Sequence, residues 1–233
     1  MRARRSAARP PRRSAAGRST TTSTRTSGRS RSARRSRTPA TRRSRASPWT
    51  SWGEKRLAQV ASQFGFNAPI IAGLPAVRAA FPDAKDDTAF AAASFGQGQV
   101  LTSPLNMAGV AAAAADGTWR SPRLVDAALA AQAADAGGRK PEQPKRLEPA
   151  VKSALHALMP AVVSEGTAAG VGFPSGTAGK TGTAEYGEGE NPPTHAWFIG
   201  YRKDVAFAVI VEGGGTGAEA AAPIAAAFLR AAS

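Results

Sequence analysis

Residues 1–50 contain sixteen arginines and no acidic residue, and their only large apolar side chains are Met1 and Trp49. Such a segment has too little apolar surface to offset the entropy lost on folding. It is expected to be a disordered basic tail, which confines any packed domain to residues 51–233. Three readings of the tail fit its composition. It is an arginine-serine arm that binds RNA, a solvated tail with no role of its own, or coding sequence read in the wrong frame. The last is open because Arg, Ala, Pro, Gly, Ser and Thr are what GC-rich DNA yields out of frame.

The formal net charge of +15 would by itself suggest a nucleic acid or an anionic membrane as partner. Residues 51–233, however, hold 15 basic and 16 acidic groups, so the basicity belongs to the tail alone. No clustered aromatic and basic surface is readable in 51–233, and no nucleic-acid partner is expected of it. A basic nucleic-acid-binding protein acting through residues 1–50 is the alternative from another class. The chain has no cysteine, which removes disulfides, thiolate nucleophiles and cysteine zinc sites. His156 and His195 are the only histidines, and both read as structural, so neither a metal nor a cofactor is expected. No apolar run approaches the length of a membrane span, and no arginine pair precedes an apolar segment that would make an export signal. The chain's own location is left open.

Beyond residue 52 the pattern alternates between helices and strands. A helix over 54–64 follows from Leu57, Val60, Ala61 and Phe64, with Gly65 as its stop. Residues 89–94 form a short apolar run before the turn Phe95-Gly96-Gln97-Gly98. Ser103 and Pro104 open a helix that reaches Asp116 and stops at Gly117. A strand is expected over 123–127, a loop over 132–147, and a helix over 148–164 kinked at Pro160. Strands follow at 177–185, 195–201 and 205–212, the last two forming a hairpin at Arg202-Lys203-Asp204. A helix over 218–232 closes the chain. The fold class is α/β in the layered α+β sense, with antiparallel strands packed against helices.

Gly179-Lys180-Thr181-Gly182-Thr183-Ala184-Glu185 lies on the first of these three strands. A phosphate-binding loop would need a glycine five residues before Gly179, where Pro174 stands, and a helix after the threonine. The other reading is the K-T-G strand of serine enzymes that react with penicillin. A lysine there supplies a cation for a substrate carboxylate, and threonine hydroxyls can donate to the same group. Gly182 leaves space for an extended peptide against the strand, and the next N–H can face a developing oxyanion.

Three further segments occur in order around this strand. Phe95-Gly96-Gln97-Gly98 with Thr102-Ser103-Pro104-Leu105-Asn106-Met107-Ala108 resembles the G-Q-G and T-P-L-x-M-A stretch of class B penicillin-binding proteins. Val162-Val163-Ser164-Glu165-Gly166-Thr167-Ala168 resembles their V-V-x-x-G-T-A segment. His195-Ala196-Trp197-Phe198-Ile199-Gly200-Tyr201 is similar to the strand that follows K-T-G. The resemblance covers residues 53–233 and implies the C-terminal part of the penicillin-binding transpeptidase, or β-lactamase-like, fold. In that fold the central sheet has five strands, two of which precede the nucleophile and pair beside the strand matching 205–212.

It also implies a serine D,D-transpeptidase that crosslinks peptidoglycan stem peptides through an acyl-enzyme at the outer face of the cytoplasmic membrane. Such enzymes are acylated by β-lactams. On that reading Lys180, Thr181, Gly182 and Thr183 bind the substrate, Lys180 and Thr183 serve catalysis, and the Thr183 N–H forms half of the oxyanion hole. The T-A-E continuation is similar to the transpeptidases rather than to the β-lactamases. The pattern breaks at the nucleophile. No serine is followed three residues later by lysine, and none two residues later by asparagine, so S-x-x-K and S-x-N are both absent. The chain as written is expected to be inactive, and a non-catalytic module that holds cell-wall peptide is a second reading. If the tail is a frame error, another frame upstream of codon 50 encodes the two missing motifs. A sheet lacking two strands is also expected to self-associate through its open edge.

Overall fold

The computed structural model describes residues 48–72, 75–124 and 141–232. The expected tail lies outside them apart from its last three residues, as do 125–127 of the expected strand and most of the expected 132–147 loop. All described residues belong to one compact unit.

Helix α1, Pro48–Gln63, begins six residues earlier than its apolar spacing suggests, with proline at its start and Gly65 at φ 86° beyond its end. The alanine run near residue 90 is a helix, α2, Asp87–Ser94, whose cap lies upstream: the Asp86 carboxylate accepts from the Ala89 N–H at 2.8 Å. Helix α3, Pro104–Asp116, keeps its expected limits. Ser103 caps it, Pro104 opens it, and Gly117 closes it at φ 85°.

Strands β1, Thr118–Trp119, and β2, Lys145–Arg146, form a two-residue antiparallel ladder. The expected loop thus contains a strand, and Arg123 and Leu124 belong to none. Helix α4, Pro149–Ser164, carries Pro160 inside it without ending there.

Strands β3, Ala178–Glu185, β4, Thr194–Arg202, and β5, Val205–Val211, make an antiparallel sheet in the order β3-β4-β5. The β4–β5 hairpin closes on Arg202↔Val205, so its loop is Lys203-Asp204, with Lys203 at φ 53°. One face of the sheet presents Ala196, Phe198 and Phe207 to Ala221, Ala222, Ala225 and Leu229. Phe198 is fully buried and stacks with Phe173 and Phe207. The other face packs on α3 and α4, where Ala114, Met159 and Ala178 meet Leu155 and Tyr201.

The single expected C-terminal helix is two pieces: a π-helical turn, Gly217–Ala221, and α5, Ala222–Ala231. In the turn the Ala222 N–H donates to the Gly217 carbonyl, a five-residue step. Pro223 follows within the first turn of α5, where its missing N–H removes no interior helix bond. Gly217 is pressed onto the sheet. A Cβ there would fall 2.3 Å from the Trp197 carbonyl oxygen and 2.4 Å from that of Gly182, so no other residue fits.

Candidate functional site

The candidate site is the edge of β3 that faces away from β4. The Thr181 carbonyl accepts from Lys180 Nζ at 2.6 Å, and the Thr183 carbonyl accepts from Gln97 Nε2 at 3.1 Å. The Glu185 N–H donates to Gln97 Oε1 at 3.2 Å. A strand residue turns its N–H and C=O to the same side, and neighbours alternate. Residues 181, 183 and 185 therefore present their backbone groups outward, while Lys180, Gly182 and Ala184 bond β4. The Thr183 N–H lies on that outward edge, between the Lys180 ammonium and the Gln97 carboxamide.

Side chains alternate as well. Lys180 shares the α3–α4 side with its cross-strand partner Ile199, whereas Thr181 and Thr183 share the opposite side with Phe198 and Ala196. The two threonine side chains differ in their surroundings. Thr181 is buried, 9% exposed, and its hydroxyl lies 2.7 Å from that of Thr167. Thr183 is exposed, and its hydroxyl is 3.5 Å from the Gly217 N–H. Gly182 is hemmed in by Trp197, whose Cβ would be 3.2 Å from an added Cβ.

Two residues of the matched segments bond to this candidate edge or its strand although nothing in their spacing assigned them a role. Gln97 stands between Gly96 at φ 83° and Gly98 at φ 72°, so the turn that projects it needs a glycine on each side. Thr167 follows Gly166, where a Cβ would be 2.7 Å from Val162 Cα, and precedes Ala168, buried in the core. The Gly-Thr-Ala order is thus a tight exit from α4, a support for β3 and a core contact. Thr167→Val leaves the Thr181 hydroxyl unpaired in a largely buried place. It is expected to cost about 1–2 kcal/mol, read by urea unfolding, and Thr167→Ser should restore most of it.

Beside Lys180 a cavity of about 650 Å3 opens between α1, α3, α4 and the sheet. Phe64, Leu155, Leu158, Met159, Val162 and Ile199 form much of its wall, and Lys180 and Glu165 are the charged residues on it. Among the described residues no serine or threonine lines it. Among the described residues there is no group of three side chains able to hold a metal ion, and no helix is long and apolar enough to cross a membrane. The edge thus offers a cation, an outward N–H and an open strand, which together can hold an extended peptide and an anionic group.

These features define a layered α/β domain whose K-T-G strand forms an open sheet edge. A family model described as the penicillin binding protein transpeptidase domain matches residues 31–230, and the chain belongs to this family. The Peptidoglycan D,D-transpeptidase PbpA of Mycolicibacterium smegmatis is 37% identical over 199 residues, 78% of this chain and 40% of that protein. PbpA of Mycobacterium tuberculosis is 34% identical over 196 residues, 77% of this chain and 39% of that protein. The chain therefore spans about 40% of the length of these curated relatives. Among solved structures, the D,D-transpeptidase domain of a peptidoglycan glycosyltransferase from Eggerthella lenta superposes with a TM-score of 0.57 at 25% identity, over 79% of this chain and 49% of that one. A penicillin-binding protein, PBP2, from Helicobacter pylori, solved in complex with MreC, gives a TM-score of 0.60 at 20% identity, over 78% of this chain and 37% of that one, a likeness of fold alone.

Proposed function

We propose that this chain carries the peptide- and carboxylate-holding strand of a peptidoglycan D,D-transpeptidase and that by itself it performs no acyl transfer. The observation that carries the first half is the outward edge of β3, where the Thr183 N–H stands between Lys180 Nζ and the Gln97 carboxamide. A stem peptide, or a β-lactam that mimics its end, adds to this edge as a further strand with its carboxylate towards Lys180. Thr183 supplies the N–H facing the reacting carbonyl, and Gly182 keeps the approach low. Thr181 contributes its backbone and, through Thr167, the stiffness of the strand. By family the site would work at the outer face of the cytoplasmic membrane. Because the strand is intact while the nucleophile is missing, binding without chemistry is the reading that fits the chain as it stands.

Titration of the full chain with an acetylated tripeptide ending in D-Ala-D-Ala, followed by NMR, tests this. The Thr183 amide should shift on binding. Lys180→Ala removes the charge-assisted partner of the carboxylate and should weaken binding by about ten- to a hundredfold. Equal binding by wild type and Lys180→Ala would refute the assignment.

A further inference from the structure

The carboxamide of Gln97 presents a donor and an acceptor at the spacing of a peptide group, and β3 engages one N–H and the oxygen. Nε2 donates to the Thr183 carbonyl and Oε1 accepts from the Glu185 N–H. This is what the next strand of a sheet would do at that place, so a side chain 86 residues away in sequence takes the position of an incoming peptide. We infer that Gln97 is a built-in stop, which closes the β3 edge beyond Thr183 and so sets how many residues of a bound peptide can pair with it.

The inference rests on the proposed peptide-binding role of β3, and its physical content is separate. A strand entering antiparallel to β3 with its carboxyl end at Lys180 would run its upstream residues towards Glu185. There it meets the Thr183 carbonyl and the Glu185 N–H already bonded, so its last bond to β3 is with the Thr183 N–H. The edge then suits a short chain end and rejects a polypeptide passing through. The mounting of Gln97 fits this role. The glycines on either side fix where the side chain points, and the turn is tied to α2 by the Gln97 N–H donating to the Ala92 carbonyl at 3.0 Å. Gln97 touches no reacting atom in this account and is a positioning residue.

The test uses the full chain, with amide exchange and peptide binding measured on wild type, Gln97→Ala and Gln97→Glu. In Gln97→Ala the Glu185 amide should exchange about tenfold faster, while the Gly182 amide, bonded to β4, stays unchanged. Gln97→Glu keeps an acceptor for the Glu185 N–H but sets a second carboxylate oxygen against the Thr183 carbonyl, so Glu185 exchange should fall between wild type and Gln97→Ala, which a general loosening of the loop would not do. The acetylated D-Ala-D-Ala tripeptide and a seven-residue form extended at its amino end should bind wild type equally. The longer peptide should bind Gln97→Ala about five- to tenfold more tightly and protect the Glu185 amide. Unchanged Glu185 exchange in Gln97→Ala, or protection of Glu185 by the longer peptide in wild type, would overturn the stop. If neither peptide binds any of the three proteins, the carboxylate-site reading fails, and the exchange comparison alone decides for or against Gln97.

Discussion

Incubated with a fluorescent penicillin and then denatured, the full chain should carry no label, where a serine transpeptidase bearing S-x-x-K would be labelled in full. Acylation needs a hydroxyl whose proton can be taken by a neighbouring base, on the side of the strand where the carbonyl sits. Lys180 is the amine at the site, and its Nζ is bonded to the Thr181 carbonyl. Among the described residues, no serine or threonine lines the cavity beside it. The nearest candidates in sequence, Thr181 and Thr183, point to the opposite face of β3, and the Thr181 hydroxyl is already paired with Thr167. No serine of the chain stands in S-x-x-K spacing, in which a lysine one helical turn away would serve as its base. A band surviving denaturation, with the label mapped by peptide digestion, would identify a nucleophile outside these residues. Reversible penicillin binding that is lost in Lys180→Ala would be consistent with the intact strand.

Where signals were local, the sequence was sufficient. Helix α3 follows from Ser103, Pro104 and Gly117, because each acts on backbone groups within a turn of itself. The hairpin follows from two apolar, branched runs separated by charged residues. Alanine runs gave no such help. In α2 the spacing of alanines favours neither period, and the deciding group, Asp86, lies outside the run. The β1–β2 ladder joins Thr118 to Arg146 across a long separation, so neither strand has a signature in its own neighbourhood. The π-helical turn is a consequence of packing, since Gly217 must lie against Gly182 and Trp197 before the helix can turn away. The site divides in the same way. Lys180 to Thr183 stand out as a string, whereas Gln97 and Thr167 act through bonds to β3 that span 86 and 14 residues. Their strings marked a resemblance, and only the fold shows what they touch.

On size-exclusion chromatography the wild-type chain should elute as an oligomer, and Ala208→Pro should shift it towards monomer without unfolding it. Among the described residues nothing pairs with the outer edge of β5. The strand is Val205-Ala206-Phe207-Ala208-Val209-Ile210-Val211, with Lys203 and Asp204 before it, Glu212 after it and no charge between. Edges of this kind pair with other chains unless charge, proline or a covering element blocks them. The register says which groups are free to do so. Because Thr183 faces away from β4, its partner Ala196 bonds β5, and alternation assigns Val205, Phe207, Val209 and Val211 to the β4 ladder. Ala206, Ala208 and Ile210 are left with outward N–H groups. Proline at 208 removes one outward donor and sets a ring across the edge, a place where strands tolerate it. Proline at 209 removes a ladder bond to β4 instead and should cost about 3 kcal/mol or more, unfolding much of the sheet. The pair of variants separates edge pairing from general instability: one should dissociate the oligomer with its thermal transition kept, and the other should lose the transition. An oligomer that survives Ala208→Pro would move the contact elsewhere, with the apolar cavity beside Lys180 the next surface to test. A wild-type monomer with a sharp cooperative transition would show that three strands and their helices suffice as a folded unit.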